Sequence, residues 1–196
     1  MTLTMEEKKN ILSKNIDDIY QDDLLGNNAY CFSPNTTLEA INKYDNFKSD
    51  VATLLGVHKN NVSIFGSGKI GFSLNPANGL RDFTEESDID IAVVSPTHYS
   101  HFRQQYLEEF YSGRFKYQFH KKVASSIFKK FIIFDGFSVK NESYKRWIEE
   151  TGEFEATIQL KYELINDINY RIFESWDAVS YYYKNSIKEC KERNEL

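Results

Sequence analysis

Phe65-Gly66-Ser67-Gly68-Lys69-Ile70-Gly71 and Ser87-Asp88-Ile89-Asp90-Ile91-Ala92-Val93 are the two stretches that decide the fold. The run Val62-Ser63-Ile64-Phe65 is short, β-like and stops at Gly66, and Ile89 to Val94 is the clearest strand in the chain. Residues two apart on a strand point to the same side. Asp88 and Asp90 therefore share one face, while Ile89 and Ile91 share the other and face a core. The two strands are expected to be neighbours in a small mixed sheet of an α/β (α+β) domain. Helices are expected on the face opposite the acids.

Two carboxylates this close repel each other unless a cation sits between them. Mg²⁺ or Mn²⁺ meets that need, since such ions take carboxylate and phosphate oxygens and use few protein ligands. The Gly66-Ser67 turn supplies the complement. A glycine after a strand lets backbone N–H groups approach phosphate oxygens, and a helix starting at Ser67 adds its free N–H groups. The turn is not a Walker loop, because Lys69 is not followed by Ser or Thr.

Working outward, Glu6 to Leu25 carries Ile11, Leu12, Ile16 and Ile19 at helical spacing, and a first amphipathic helix is expected there. From Thr36 the apolar positions Leu38, Ile41, Tyr44, Phe47, Val51 and Leu55 continue a helical pattern that Gly56 ends. Residues 67–86 read as a loop or a short helix plus loop. Pro96 opens a helix through Phe110, and Lys116 to Phe134 reads as another. Tyr144 to Glu150 reads as a short helix, Thr157 to Ile165 and Ile168 to Phe173 as strands, and Trp176 onward as a final helix.

With those segments placed, the chain resembles the DNA-polymerase-β-like nucleotidyltransferases, in particular small bacterial members. Their signature is Gly-Ser at the end of one strand, a glycine four residues after the serine, and Asp-x-Asp on the next strand. Gly66, Ser67, Gly71, Asp88 and Asp90 match it position by position. The resemblance implies a single domain over 1–196, with N-terminal helices and a C-terminal helix. It implies transfer of a nucleoside monophosphate from an NTP such as ATP to an acceptor, with release of pyrophosphate. Asp88 and Asp90 would be catalytic and metal ligands, and Gly66 and Ser67 would hold the nucleotide, with Lys69 and Arg81 within reach of its phosphates. The family also uses a third carboxylate on a later strand. Glu155 and Glu163, on the strand-like run, are the expected third acid, with Asp167 as the further alternative. The gap from Ser67 to Asp88 is longer than in minimal members, so the loop Phe72 to Glu86 is an elaboration. Should no third acid reach the metals, the same fold would serve as a catalytically inactive nucleotide-sensing or partner-binding module.

Composition narrows the partners. Hydrophobic residues make up 41% of the 196 and aromatics 15%, enough for a core. The net charge of −5 gives no global attraction for a long nucleic acid. The acceptor is therefore expected to be a small molecule or a protein, or at most a tRNA end held by Lys121, Lys122, Lys129 and Lys130. A toxin–antitoxin or bacterial defence setting belongs to the same expectation. Cys31 and Cys190 form neither a zinc pattern nor a disulfide framework. No apolar run reaches membrane-spanning length, and the N-terminus is polar, so a cytoplasmic protein without a membrane partner is expected.

His98 and His101 lie three apart on one helix, but with no third soft ligand nearby they read as surface or capping residues. The aromatic-rich stretch Tyr170, Arg171, Trp176 and Tyr181 to Tyr183 reads as packing of the last helix, as does Trp147.

Overall fold

The computed structural model describes residues 2–195, leaving Met1 and Leu196, the ends of the expected domain, outside the described residues. The chain opens with α1 (Met5–Ser13) and α2 (Ile16–Asp18), which runs on as a π-helical stretch over Ile19–Leu24. Next come α3 (Leu38–Leu55), β1 (Val62–Phe65), α4 (Ser67–Ile70), β2 (Ile89–Val94), α5 (Pro96–Tyr111) and α6 (His120–Phe128). Then follow β3 (Phe131–Ile132), α7 (Glu142–Tyr162), β4 (Ile168–Phe173) and α8 (Trp176–Arg193). The result is a mixed α/β architecture around a four-stranded sheet in the order β1-β2-β4-β3.

β1 and β2 are antiparallel neighbours, with Phe65 opposite Asp90. β2 and β4 are parallel, with Asp90 opposite Asn169 and Ala92 opposite Arg171. β3 pairs only with the far end of β4, through Phe131↔Phe173 and Ile132↔Ile172. Ile89, Ile91 and Val93 bury one face of the sheet against α3, α5 and α7, where Tyr44, Phe47, Phe102, Trp147 and Ile158 pack. Ala92 and Val94 bury part of the other face, with Phe65, against α1, the π-helical stretch and α8. Helices thus cover both faces, not only the one opposite the acids as expected. On the acid side α8 reaches the sheet beside the acids, with Tyr183 stacked on Phe65, the residue opposite Asp90, while Asp88 stays exposed and Asp90 half-buried.

The capping chemistry explains most boundaries. Thr37, Ser95, Asn141 and Ser175 each accept a hydrogen bond from a first-turn N–H, and Gly56 closes α3 in the left-handed conformation. Three expectations need correction. The expected helix over Glu6 to Leu25 is broken at Lys14, since the Asn15 side chain accepts from the Asp18 N–H and starts a new helix. Lys116 to Phe134 is not one helix. A 3₁₀ turn precedes α6, Lys130 takes a positive φ of 63°, and Phe131 enters the sheet. Thr157 to Ile165 is not a strand, because α7 runs unbroken through Gly152 to Tyr162. Trp147, Thr151, Ile158 and Tyr162 fall on its buried side, and this burial outweighs the roughly 1 kcal/mol that a mid-helix glycine costs.

Candidate functional site

Gly66 links β1 to α4 with φ 68° and ψ −150°, a combination essentially reserved for glycine. A Cβ built there would lie 3.0 Å from Asp90 Oδ2, so the turn and the acid are in direct apposition. Gly71, φ 89°, ends α4, and a Cβ there would collide with the Tyr30 ring at 2.7 Å. Gly66→Ala is expected to cost about 1–3 kcal/mol from backbone strain, and to push the Asp90 carboxylate aside. A thermal melt reads the first effect. A melt unchanged from wild type would show that the turn relaxes.

Gly66, Ser67, Arg81, Asp88 and Asp90 line one cavity of about 930 Å³, together with Asn169, Arg171, Tyr182 and Tyr183. Asp88 is exposed and Asp90 half-buried. Asp90 Oδ1 accepts from Arg171 Nη2 at 3.2 Å, and Arg171 Nη1 donates to the Tyr182 hydroxyl at 2.7 Å. The guanidinium also lies against the Phe131 and Tyr182 rings, 5.9 and 5.5 Å from their centroids. Tyr183 stacks on Phe65 at 4.0 Å, and its buried hydroxyl has no hydrogen-bond partner among the described residues. Burial first, and the nearby Asp90 as well, push its pKa up, so it stays a neutral donor. Arg171, Tyr181, Tyr182 and Tyr183 are cavity residues that the reading of this stretch as plain packing missed. The alternation of Asn169 and Arg171 with buried Ile168, Tyr170 and Ile172 was the available signal.

The loop Phe72 to Glu86 roofs this cavity with Ser73, Asn75, Pro76 and Asn78. Buried Lys8 of α1 pins it, donating to Leu80 O at 3.0 Å and pairing with Asp82 at 2.5 Å. At its far end Asn166 Nδ2 donates to the carbonyls of Thr84, Glu85 and Ser87. Neither anchor stands out in the sequence, because each acts across more than seventy residues.

Lys69 does not face the cavity, contrary to expectation. It is 3% exposed, its ammonium donates to Gly26 O at 2.5 Å, and it lies 4.3 Å from the centre of the Tyr44 ring. Burial, with Lys48 nearby, brings its pKa down to about 7 from an ordinary 10.5. Between those two values the unfolded chain holds a proton that the folded chain has released, so this group makes stability rise with pH. Melting temperatures of wild type and Lys69→Met should therefore shift in favour of wild type from pH 7 to pH 10. A pH-independent difference would mean that Lys69 keeps its proton.

The third-acid candidates separate. Glu163 caps the end of α7 with φ 56° and turns toward Lys43, 3.5 Å away, outside the cavity. Asp167 is exposed just before β4, and its carbonyl accepts from the Ile89 N–H at 2.8 Å. Glu155 lies on α7 rather than on a strand. Its Oε1 accepts from the Ile168 N–H at 2.9 Å, and it lines a second cavity that Asp90 also touches. Burial first, then Asp167, raise its pKa, while the Ile168 bond opposes them. The residue beside Asp90 on the later strand is Asn169. Among the described residues no group of three or more His, Cys, Asp or Glu could hold a metal ion. Asp88, Asp90 and Asn169 line the same cavity and carry oxygen donors of the kind magnesium takes alongside substrate phosphates.

Of the lysine cluster, Lys122 pairs with Asp135 and Lys130 with Glu174, each at 2.7 Å, and Lys129 reaches over Tyr182. All three border the 930 Å³ cavity. His98 bonds Ser95 Oγ at 2.7 Å, as a capping histidine would. Among the described residues no helix is long and apolar enough to cross a membrane. No protein-family model, curated protein or solved structure matches this chain.

Proposed function

We propose that the protein is a metal-dependent nucleotidyltransferase of the polymerase-β-like type, moving a nucleoside monophosphate from an NTP to an acceptor hydroxyl. One observation carries the reading. The antiparallel pairing of β1 and β2 sets the Gly66-Ser67 turn against Asp88 and Asp90 within a single cavity. In this reading the backbone N–H groups at the turn and the Ser67 hydroxyl bind the triphosphate. Arg81, Lys129 and Lys130 add positive charge around it. Asp88 and Asp90 would hold Mg²⁺ or Mn²⁺ together with phosphate oxygens, and the ion supplies neutralisation of the charge developing on the phosphates. An acceptor hydroxyl oxygen forms a bond to the α-phosphorus and gives up its proton to solvent, the α–β anhydride bond breaks, and pyrophosphate leaves.

A second reading, a catalytically inactive nucleotide sensor, is favoured by Asn169 beside Asp90 and by the Arg171 pair on Asp90. In it, Arg171 stands permanently as the counter-charge. One experiment separates the two. The protein is incubated with each α-labelled NTP, Mg²⁺ or Mn²⁺, and cell lysate, while pyrophosphate is measured. Label transfer with pyrophosphate release supports the enzyme. Saturable NTP binding without either supports the sensor.

A further inference from the structure

The two oxygens of the Asp90 carboxylate have different neighbours. Oδ2 faces the Gly66 turn, since a Cβ built on Gly66 would lie 3.0 Å from it. Oδ1 accepts from Arg171 Nη2 at 3.2 Å. The strand register explains the second contact. Asp90 stands opposite Asn169 and Ala92 opposite Arg171, so the arginine side chain starts beside an alanine and has room to reach back to the acid. Its guanidinium is fixed from two further sides, by the Tyr182 hydroxyl at 2.7 Å and by the Phe131 and Tyr182 rings. A planar fork held in this way loses little freedom on pairing, and it is charged at any working pH.

A second divalent ion finds little to bind beside Asp90. In a two-ion site the metals lie about 3.5–4 Å apart, close enough to share a carboxylate. Here the Asp90 oxygen on the β4 side is taken by the guanidinium, and the residue opposite Asp90 on β4 is an amide, Asn169. The remaining acids that line this cavity or the adjoining one are Glu189, Glu155 and Asp135. Glu189 accepts from Asn185 Nδ2 at 2.8 Å, Glu155 accepts from the Ile168 N–H at 2.9 Å, and Asp135 pairs with Lys122 at 2.7 Å. Positive charge gathers on this side instead. The Lys129 ammonium lies 5.8 Å from the centre of the same Tyr182 ring that the Arg171 guanidinium approaches.

We propose that Arg171 takes the place of a second metal ion, so that the site binds one divalent cation, through Asp88 and the Oδ2 of Asp90. The proposal rests on the nucleotidyltransferase reading and gives it a stoichiometry. Arg171 is a positioning residue in it. By holding Oδ1, it keeps Oδ2 turned toward the Gly66-Ser67 turn, where the phosphates bind. Its fixed charge also disfavours any further cation on the β4 side of Asp90. No ion is then left for the acceptor hydroxyl, whose proton goes to solvent.

The count is read on the wild-type chain, crystallised with Mn²⁺ and the α,β-methylene analogue of ATP. Anomalous scattering should show one manganese at Asp88 and Asp90, with Arg171 still on Asp90. A second manganese within about 4 Å of the first, or an Arg171 displaced from Asp90, would overturn the proposal. The charge is read without nucleotide, from the electron-spin-resonance signal of free Mn²⁺ titrated with the full chain. Arg171→Met keeps a long side chain between the rings and removes a positive charge beside the ion, so Mn²⁺ should bind about tenfold more tightly. Arg171→Lys keeps the charge and should bind Mn²⁺ as wild type does. A merely structural Arg171 predicts another pattern, because a loosened Asp90 would weaken binding in both variants. Equal or weaker binding of Mn²⁺ to Arg171→Met therefore counts against the proposal as decisively as a second ion. Analogue binding with no dependence on Mn²⁺, and no manganese in the crystal, would instead sink the nucleotidyltransferase reading, and the one-ion site with it.

Discussion

Asp90→Asn is expected to reduce nucleotidyl transfer by about 100-fold or more while leaving the melting temperature close to wild type, since a metal clamp is worth several kcal/mol of charge stabilisation. The asparagine keeps an oxygen that can accept from Arg171 Nη2, so the contact holding the strand to β4 survives. What it loses is the charge that would hold a divalent ion. Asp88→Asn should act alike on transfer, and with still less effect on the fold because Asp88 is exposed. Asp90→Ala is the informative contrast. It takes the carboxylate from a largely buried guanidinium and should cost stability as well, about 1–2 kcal/mol after allowing for the contact that Arg171 keeps with Tyr182. Mn²⁺-dependent binding of ATP to the three variants, beside their thermal melts, checks the set. ATP binding with no dependence on a divalent ion, in wild type and Asp90→Asn alike, would count against the metal role of the pair.

Glu109→Ala should produce a large loss of stability, about 2–4 kcal/mol, with no direct effect on the cavity chemistry. Glu109 has no exposure at all, although it is charged and sits on α5. Its Oε1 accepts from Arg114 Nε at 3.0 Å and from Asn141 Nδ2 at 3.2 Å, and its Oε2 from the Ser138 N–H at 3.3 Å. It therefore ties together the end of α5, the turn after β3 and the start of α7. Truncation orphans the Ser138 N–H, deprives Asn141 of one acceptor and leaves a void. Arg114 is half-exposed and can turn to water, which keeps the loss below that of a fully buried broken pair. Because Asn141 Nδ2 donates to Glu109 Oε1, each single variant already breaks that bond, and the double variant with Asn141→Ala should lose less than the sum of the singles. Equilibrium denaturation of the four proteins is the check. A loss for Glu109→Ala under about 1 kcal/mol would show that Ser138 and Asn141 find other acceptors.

The sequence by itself determined the elements whose signals are local. β1 and β2 were legible because β-branched runs end at Gly66 and begin after Asp88. α3, α5 and α8 were legible from capping residues and a repeated apolar face. Asp88 and Asp90 shared a side because a strand alternates. That the Gly66 turn and these acids are neighbours required only that two consecutive strands pair, which is the usual outcome. α7 was misread because Gly152 looked like a stop, and a local rule cannot weigh one glycine against burial of Trp147, Ile158 and Tyr162 on a distant sheet. The positions of Lys69, Glu163 and Glu155 were decided only by tertiary structure. Lys69 turns inward because α4 is a single short turn whose far side meets Gly26 and Tyr44. Glu163 turns outward because α7 ends in a left-handed residue at that point. The contacts that define the site, Arg171 on Asp90 and Lys8 on the roof loop, join residues 81 and 72 positions apart. Long-range polar pairing of that kind leaves no period and no spacing in a single sequence, since it is fixed only when packing brings the elements together.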